Sequence, residues 1–276
     1  MFVDKLRRRW TERNTLLCVG LDPNMERIPA SFRARKNAIF AFNRAIIEAT
    51  ADLVCAYKPQ VAHYSAYGAE EQLVATIDYL RREHPEIGIL LDAKRGDIGS
   101  TAEMYAREAF DRYRADAVTV NPFMGFDAVE PFLARADKGV VVLCRTSNPG
   151  ARTFQGLRIE GKPLYQRVAE EAVQRWNTRG NVLLVVGATY PRELRELREL
   201  AGDMPFLVPG VGAQGASVLQ AVASGQDAQG TGLLVSSSRA VLYASSGADF
   251  ELAAREKALS LRDEINRARC ARLVLS

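Results

Sequence analysis

Eight short apolar runs recur along this chain of 276 residues, and stretches with helical spacing separate most of them. The runs cover residues 16–21, 53–57, 87–91, 117–120, 140–143, 182–186, 206–211 and 233–235. Residues 32–51, 70–82, 102–112 and 163–178 have the apolar spacing of amphipathic helices. Strands that alternate with helices run parallel, because each helix carries the chain back to the start of the next strand. Eight such units predict an α/β protein with a (β/α)₈ barrel, and we expect residues 1–276 to form a single domain.

An open dinucleotide-binding sheet is the main alternative fold for this alternation. It usually carries Gly-x-Gly-x-x-Gly directly after its first strand. The segment after the first run begins Asp22-Pro23-Asn24 and lacks that motif, which favours the barrel.

Two segments depart from the regular alternation of apolar runs and amphipathic helices. Residues 191–200 predict a charged surface helix with Leu194 and Leu197 facing inward, and residues 147–162 predict a long binding loop or lid.

Composition and charge exclude several classes of function. The net charge of +4 is too small and too dispersed to indicate nucleic acid, and no apolar run approaches the roughly 18 residues of a membrane span. The basic N-terminal stretch is not followed by the apolar segment of a signal peptide, so we expect a cytoplasmic protein. The four cysteines form no Cys-x-x-Cys pair and only two histidines are present, which argues against a zinc site or a disulfide framework. We expect buried, reduced thiols and no metal.

The hexapeptide Asp92-Ala93-Lys94-Arg95-Gly96-Asp97 follows the third apolar run. Side chains two apart on a strand point to the same face, so Asp92 and Lys94 should project together. Asp97 lies beyond a glycine, where the chain could turn back or offer the carboxylate to another subunit. Charges at the end of a buried strand are costly unless they are paired or used. A structural ion pair and a catalytic pair are both open interpretations of this motif taken alone.

Polar residues follow seven of the eight apolar runs, at the ends where barrel active sites are built. In chain order they are Asp22-Pro23, Lys58-Pro59-Gln60, Asp92 with Lys94, Asn121-Pro122, and residues 146–150, 210–215 and 236–239. Each one taken alone is compatible with a simple turn after a strand. Seven at the same end of a predicted barrel indicate a site.

The last two of these segments predict a phosphate site. Glycines in residues 210–215 allow close approach of the backbone to a ligand, and a helix with unpaired amides follows. Ser238 and Arg239 add amides and a guanidinium suited to phosphate, and phosphate sites after strands seven and eight are frequent in this fold. We therefore expect a phosphate monoester as the ligand.

An alternating array of charges is expected from Lys58, Asp92, Lys94 and Asp97. In such an array a carboxylate can face a substrate anion while Lys94 donates a proton to a carbanion formed beside it. Metal-ligand histidines and redox motifs are missing from the sequence. The chemistry indicated is proton transfer or decarboxylation without a cofactor.

Taken together, the motifs closely resemble the orotidine 5′-phosphate decarboxylase family, specifically its longer bacterial branch. The matching segments run in order over nearly the whole chain: residues 20–23, 58–60, 91–101, 146–151, 209–215 and 237–239. Related sugar-phosphate decarboxylases and aldolases share Asp-x-Lys-x-x-Asp, so the third segment alone is less specific than all six. The resemblance implies conversion of orotidine 5′-monophosphate to UMP and CO₂, the last step of de novo pyrimidine synthesis.

The resemblance also implies a role for each matching residue. Lys94 would protonate carbon 6 of the pyrimidine, Asp92 would lie against the substrate carboxylate, and Lys58 would brace Asp92. The residues implied in substrate binding are Asp22 and Lys58 at the ribose, Ser147 at the pyrimidine edge, and Gln214, Ser238 and Arg239 at the phosphate. Asp97 and Thr101 would reach the site of a second subunit, which makes the family a homodimer with shared active sites. Shorter members have glycine where this chain has Ser238, whose side chain could crowd the phosphate.

Two rival functions share parts of this pattern. A 3-keto-gulonate-phosphate decarboxylase or hexulose-phosphate synthase would use the same barrel with a metal ion, but the segment 146–151 argues against both. A nucleotide-binding module without catalysis would not need all four charged residues of the array.

Overall fold

The structure of the protein is a computed structural model that describes residues 1–211 and 216–271. Eight parallel strands close into a barrel in which each strand pairs with its neighbours in the chain and the last pairs with the first. The strands are β1 Leu17–Leu21, β2 Ala56–Pro59, β3 Gly88–Arg95, β4 Ala117–Val120, β5 Gly139–Arg145, β6 Val182–Val186, β7 Phe206–Val208 and β8 Leu233–Ser237. The predicted (β/α)₈ barrel is confirmed.

Helices connect the strands and cover the outside of the barrel. They are α1 Phe2–Glu12, α2 Ala30–Arg33, α3 Ala38–Thr50, α4 Ala62–Ser65, α5 Glu70–Glu83, α6 Gly99–Arg107, α7 Glu130–Leu133, α8 Arg152–Gln155, α9 Leu164–Glu171, α10 Pro191–Ala201, α11 Val218–Gly225, α12 Arg239–Leu242 and α13 Phe250–Ala271. Single-turn π-helical segments, Glu108–Arg112 and Ala172–Trp176, extend α6 and α9. The helix predicted over 32–51 is divided into α2 and α3.

Helix α1 precedes the first strand and closes the N-terminal end of the barrel. Its first residue, Phe2, is buried against β3 and β5. A Cβ added at Gly88 would lie 2.7 Å from the Phe2 ring, and one added at Gly139 would lie 2.4 Å from it. The absence of a Cβ at these two glycines therefore leaves space for the Phe2 ring, which we call the plug of the barrel. The sequence pattern had indicated only a basic N-terminal stretch.

Strands β3 and β5 extend further than their apolar runs predicted. They continue to Arg95 and Arg145, because polar residues at their carboxyl ends still pair with neighbouring strands. Helix α10 agrees with its prediction, since Leu194 and Leu197 are fully buried. The loop after β5 contains α8 and a small hairpin that pairs Arg158–Ile159 with Lys162–Pro163.

Three of the four cysteines, Cys18, Cys55 and Cys144, are buried free thiols as expected, whereas Cys270 is exposed. Burial raises the pKa of the Cys18 thiol to about 12, which keeps it protonated and unreactive. Across residues 1–211 and 216–271, none of the helices is both long enough and apolar enough to cross a membrane.

Candidate active site

A cavity of about 480 Å³ opens at the carboxyl ends of the barrel strands. Seven of the ten predicted site residues line it: Asp22, Lys58, Asp92, Lys94, Ser147, Ser238 and Arg239. Its apolar wall comes from strands β5 to β7 and the turn after β7, through Leu143, Val185, Leu207 and Val211. Polar groups on one side and apolar groups on the other suit a ligand with a charged end and a flat ring.

Four side chains form what we call the charged row: Asp22, Lys58, Asp92 and Lys94. Lys58 Nζ donates a hydrogen bond to Asp92 Oδ2 at 2.8 Å, and Lys94 Nζ donates to Asp92 Oδ1 at 2.5 Å. Asp22 Oδ1 lies 3.9 Å from Lys58 Nζ. Lys58 and Asp92 are buried, while the Lys94 side chain lines the cavity and is 45% exposed. The predicted alternation of charges is present within this chain, apart from Asp97.

Neighbouring charges shift the pKa values of the two buried members of the charged row. Burial alone raises the pKa of Asp92, but Lys58 and Lys94 outweigh it and hold that pKa below its ordinary range. Burial alone lowers the pKa of Lys58, but the carboxylates of Asp22 and Asp92 outweigh it and hold that pKa above its ordinary value. Both groups are therefore ionised at neutral pH. The charged row is a fixed electrostatic arrangement that does not need to reorganise when a charge develops beside it.

A bulge in β3 brings Asp92 and Lys94 together. Two regular pairs of facing residues flank the irregularity: Leu91 with Val118, and Arg95 with Val120. Three β3 residues, 92–94, therefore lie opposite the single β4 residue Thr119, and Lys94 has φ of 49°. The expectation that Asp92 and Lys94 project together is correct, but a bulge replaces the regular strand alternation on which it was based.

Thr119 is a site residue that the sequence analysis missed. Its hydroxyl donates to Asp92 Oδ1 at 2.9 Å and accepts hydrogen bonds from the amides of Ala93 and Lys94, both at 2.9 Å. The side chain is buried and lines the cavity. The one available signal was a hydroxyl within the otherwise apolar run 117–120.

Asp22 presents an acceptor that lacks a hydrogen-bond donor. Among residues 1–211 and 216–271, no group donates a hydrogen bond to its buried Oδ1, although Lys58 Nζ lies 3.9 Å away. A buried carboxylate oxygen in this state favours a ligand that brings a donor, such as a hydroxyl group. The assignment of Asp22 to ligand hydroxyls agrees with this geometry.

Ser147 lies at the cavity wall on the loop after β5. A Cβ on Gly187, which follows β6, would lie 2.7 Å from the backbone of Ser147, so this close approach requires a glycine. Thr146, which precedes Ser147, forms two hydrogen bonds with Gln155. Thr146 N donates to Gln155 Oε1 and Gln155 Nε2 donates to Thr146 Oγ1, both at 2.9 Å. The sequence analysis did not single out Gln155 or Gly187.

The phosphate end of the predicted site is only partly described. Arg239 is exposed at the start of α12 and lines the cavity with Ser238, whose Oγ is turned towards Gly20 of β1. Gly210 has φ of 96°, a conformation that favours glycine. Gln214 lies outside the described residues.

Asp97 and Thr101 do not join the rest of the site. Asp97 Oδ1 accepts a hydrogen bond from the amide of Ile98 at 2.8 Å, and Thr101 is exposed on α6. Neither lines the cavity. Within residues 1–211 and 216–271, no three His, Cys, Asp or Glu side chains are grouped so as to hold a metal ion.

Comparison with known proteins places the chain in a family. A family model described as orotidine 5′-phosphate decarboxylase / HUMPS family matches residues 15–249. An orotidine 5′-phosphate decarboxylase of Cellvibrio japonicus (strain Ueda107) is 58% identical over 270 residues, which cover 97% of this chain and 99% of that protein. Its counterpart in Ralstonia pickettii (strain 12J) is 56% identical over 268 residues, covering 97% and 99%.

Solved structures give the same result. The OMP decarboxylase of Leishmania donovani superposes with a TM-score of 0.83 at 41% identity, covering 98% of this chain and 99% of that one. The match therefore extends over nearly the whole length of both chains. The chain belongs to the orotidine 5′-phosphate decarboxylase family.

Proposed function

We propose that this protein converts orotidine 5′-monophosphate to uridine 5′-monophosphate and CO₂ without a cofactor. The observation that carries the proposal is the charged row, in which two ammonium groups bind the two oxygens of the buried Asp92 at 2.8 and 2.5 Å. It lies in a cavity large enough for a nucleotide, in a chain whose relatives carry the name of this activity.

Lys94 is the proposed proton donor. Breaking the bond between carbon 6 and the carboxylate leaves an electron pair on carbon 6, and CO₂ departs. A proton then passes from Lys94 Nζ to carbon 6, and solvent returns a proton to Lys94 through the cavity mouth. Its partly exposed ammonium and its bond to Asp92 suit both steps, because it is held in place and stays accessible.

Asp92 is proposed to face the substrate carboxylate, and Lys58 braces it through the 2.8 Å bond. Asp22 and Lys58 would bind ribose hydroxyls, which supply the donor that Asp22 Oδ1 lacks. Ser147 would contact the pyrimidine edge from the loop after β5. Arg239, Ser238 and Gln214 would bind the phosphate, far enough from carbon 6 for binding energy there to support the chemical step.

We further propose a homodimer in which Asp97 and Thr101 complete the site of the second subunit. Apolar side chains are exposed around the segment that carries them: Ile98, Met104, Phe123, Met124 and Phe126. Phe123 is 82% exposed. Asp97 and Thr101 have no place in the site of their own chain, and exposed apolar side chains surround them. This combination supports a surface that a second copy of the chain covers.

We also propose that the protein is located in the cytoplasm. Its free thiols and its proposed nucleotide substrate support this location.

The metal-dependent sugar-phosphate enzymes of the same barrel are the alternative function. In this chain both oxygens of Asp92 already accept hydrogen bonds from lysines, and Thr119 adds a third. This arrangement favours the decarboxylase, because a metal ligand needs a carboxylate oxygen free to coordinate.

The deciding experiment follows the loss of orotidine 5′-monophosphate absorbance with purified protein in EDTA. Formation of uridine 5′-monophosphate at the same rate with and without the chelator supports the proposal. Activity that requires an added divalent ion, or no turnover of this nucleotide, would contradict it.

A further inference from the structure

Thr119 occupies an unusual place in the barrel, because its hydroxyl serves three groups at once. Three β3 residues lie opposite this single β4 residue, so β3 carries two residues more than its partner strand at this point. The amides of Ala93 and Lys94 both donate to Thr119 Oγ1 at 2.9 Å. Its own proton goes to Asp92 Oδ1, which uses the full hydrogen-bonding capacity of a hydroxyl.

Lys94 depends on its surroundings to keep its backbone conformation. Its φ of 49° lies in the left-handed region, which residues other than glycine seldom adopt. Such a conformation persists where neighbouring contacts hold it. The amide of Lys94 is held by Thr119, and its ammonium is held by Asp92, which Thr119 also binds.

We propose that Thr119 is a positioning residue for decarboxylation, which fixes the β3 bulge and thereby aims Lys94 and Asp92 at the reacting carbon. The inference rests on the proposed function and extends it to a residue that need not touch the reacting bond. Loss of the hydroxyl leaves the half-buried amides of Ala93 and Lys94 without their acceptor, and we expect residues 92–94 to rearrange. Asp22 follows β1 and Arg239 begins α12, so we expect both residues to keep their positions.

The test compares Thr119→Val, which keeps the shape and removes the hydroxyl, with Thr119→Ser, which keeps the hydroxyl. A displacement of about 1 Å in a catalytic group can cost ~10²-fold in rate, so we expect kcat of the valine variant to fall by ~10- to 100-fold. Its KM and its affinity for uridine 5′-monophosphate should change by less than about threefold, since the ribose and phosphate contacts remain. The serine variant should keep kcat within about threefold of the wild-type value.

Amide hydrogen exchange at Ala93 and Lys94 provides a readout independent of activity. We expect faster exchange at both amides in Thr119→Val and near-native protection in Thr119→Ser. Thr119→Ala serves for the same comparison if the valine variant does not fold. Unchanged kcat or unchanged protection in the variants without the hydroxyl would overturn the inference, as would an equal loss of kcat in the serine variant. Failure of the wild-type protein to turn over orotidine 5′-monophosphate would refute the proposed function instead, and the exchange comparison would still decide whether Thr119 holds the bulge.

Discussion

The Oγ of Ser238 lies 1.8 Å from the position that a Cβ on Gly20 would occupy, and the Cβ of Ser238 lies 2.9 Å from it. Gly20 of β1 therefore makes space for a serine that opens the short helix carrying Arg239. The serine side chain points towards β1, and Ser238 lines the cavity. Crowding of a phosphate by Ser238 stays a prediction, and the orientation of the side chain towards β1 argues against it.

Because a Cβ at position 20 would overlap the Ser238 side chain, we expect substitutions at the two positions to be energetically coupled. Gly20→Ala should lower the free energy of unfolding by ~1–3 kcal/mol, the usual cost of overpacking, and should raise KM for the nucleotide by displacing the start of α12. Adding Ser238→Gly should recover most of both effects, because it removes the two atoms in conflict. A double-mutant cycle on unfolding and KM measures the coupling, and additive effects of the two substitutions would contradict it.

Lys94 should be essential for turnover but not for folding. Lys94→Ala removes the proposed proton donor, and kcat should fall by at least ~10²-fold, the lower end of what a positioned acid contributes. Circular dichroism and the melting temperature should stay close to the native values, because the Lys94 side chain is 45% exposed. Lys257→Ala, an exposed lysine on α13, is the matched control. Retention of a tenth or more of the native kcat would remove Lys94 from this role.

Arg239 should act on the phosphate alone. A charge-assisted contact is worth ~1.5–3 kcal/mol, so Arg239→Ala should raise KM for orotidine 5′-monophosphate by ~10- to 100-fold. The reaction of the phosphate-free nucleoside orotidine should keep its kcat/KM, since it makes no such contact. Arg195→Ala, an exposed arginine on α10, controls for a general effect of charge. Equal losses with both substrates would show that Arg239 supports the barrel rather than the ligand.

The proposed sharing of sites predicts complementation between inactive variants. A mixture of Lys94→Ala and Asp97→Ala proteins should recover activity, because one site of each mixed dimer receives Lys94 and Asp97 from different chains. Random exchange makes half of the dimers mixed, each with one intact site, so recovery should approach about a quarter of the native activity. Mass spectrometry of differently labelled chains confirms that subunits exchange. If they exchange and no activity returns, Asp97 works within its own chain.

Stability should depend on pH through Asp92 in the acid range. Its pKa is held below its ordinary range, so its ion pairs stabilise the folded state above about pH 4, the unfolded value, and are lost as the pH falls further. Asp92→Asn leaves Lys58 buried beside a neutral group and should lower the free energy of unfolding by ~3–5 kcal/mol at pH 7. Denaturant unfolding of both proteins from pH 7 to pH 3 should show that this difference narrows below about pH 4. A difference that stays constant or widens there would contradict the depressed pKa.

The barrel and most of the site were predictable because both follow from local patterns. Buried parallel strands appear as apolar runs, and their carboxyl ends converge, which placed Asp22, Lys58 and Asp92 in one cavity. Thr119 could not be found in this way, because its role depends on a register irregularity in the neighbouring strand rather than on its own surroundings in the sequence. Asp97 and Thr101 do not line the cavity of their own chain, and their assignment to a second subunit rests on the family resemblance and on the exposed apolar side chains around them.

The plug formed by Phe2 has a consequence for the order in which the chain acquires its structure. Helix α1 is synthesised before every strand of the barrel, yet its binding site lies between Gly88 and Gly139, which are made much later. Until β5 has been synthesised and paired, the apolar face of α1 has no native partner and must stay exposed or be shielded by a chaperone. Contacts between segments so far apart in the chain form slowly, because the entropy of the intervening chain is lost before the contacts can stabilise the structure. We therefore expect Phe2 to reach its site between β3 and β5 late in folding, although it precedes both strands in the sequence.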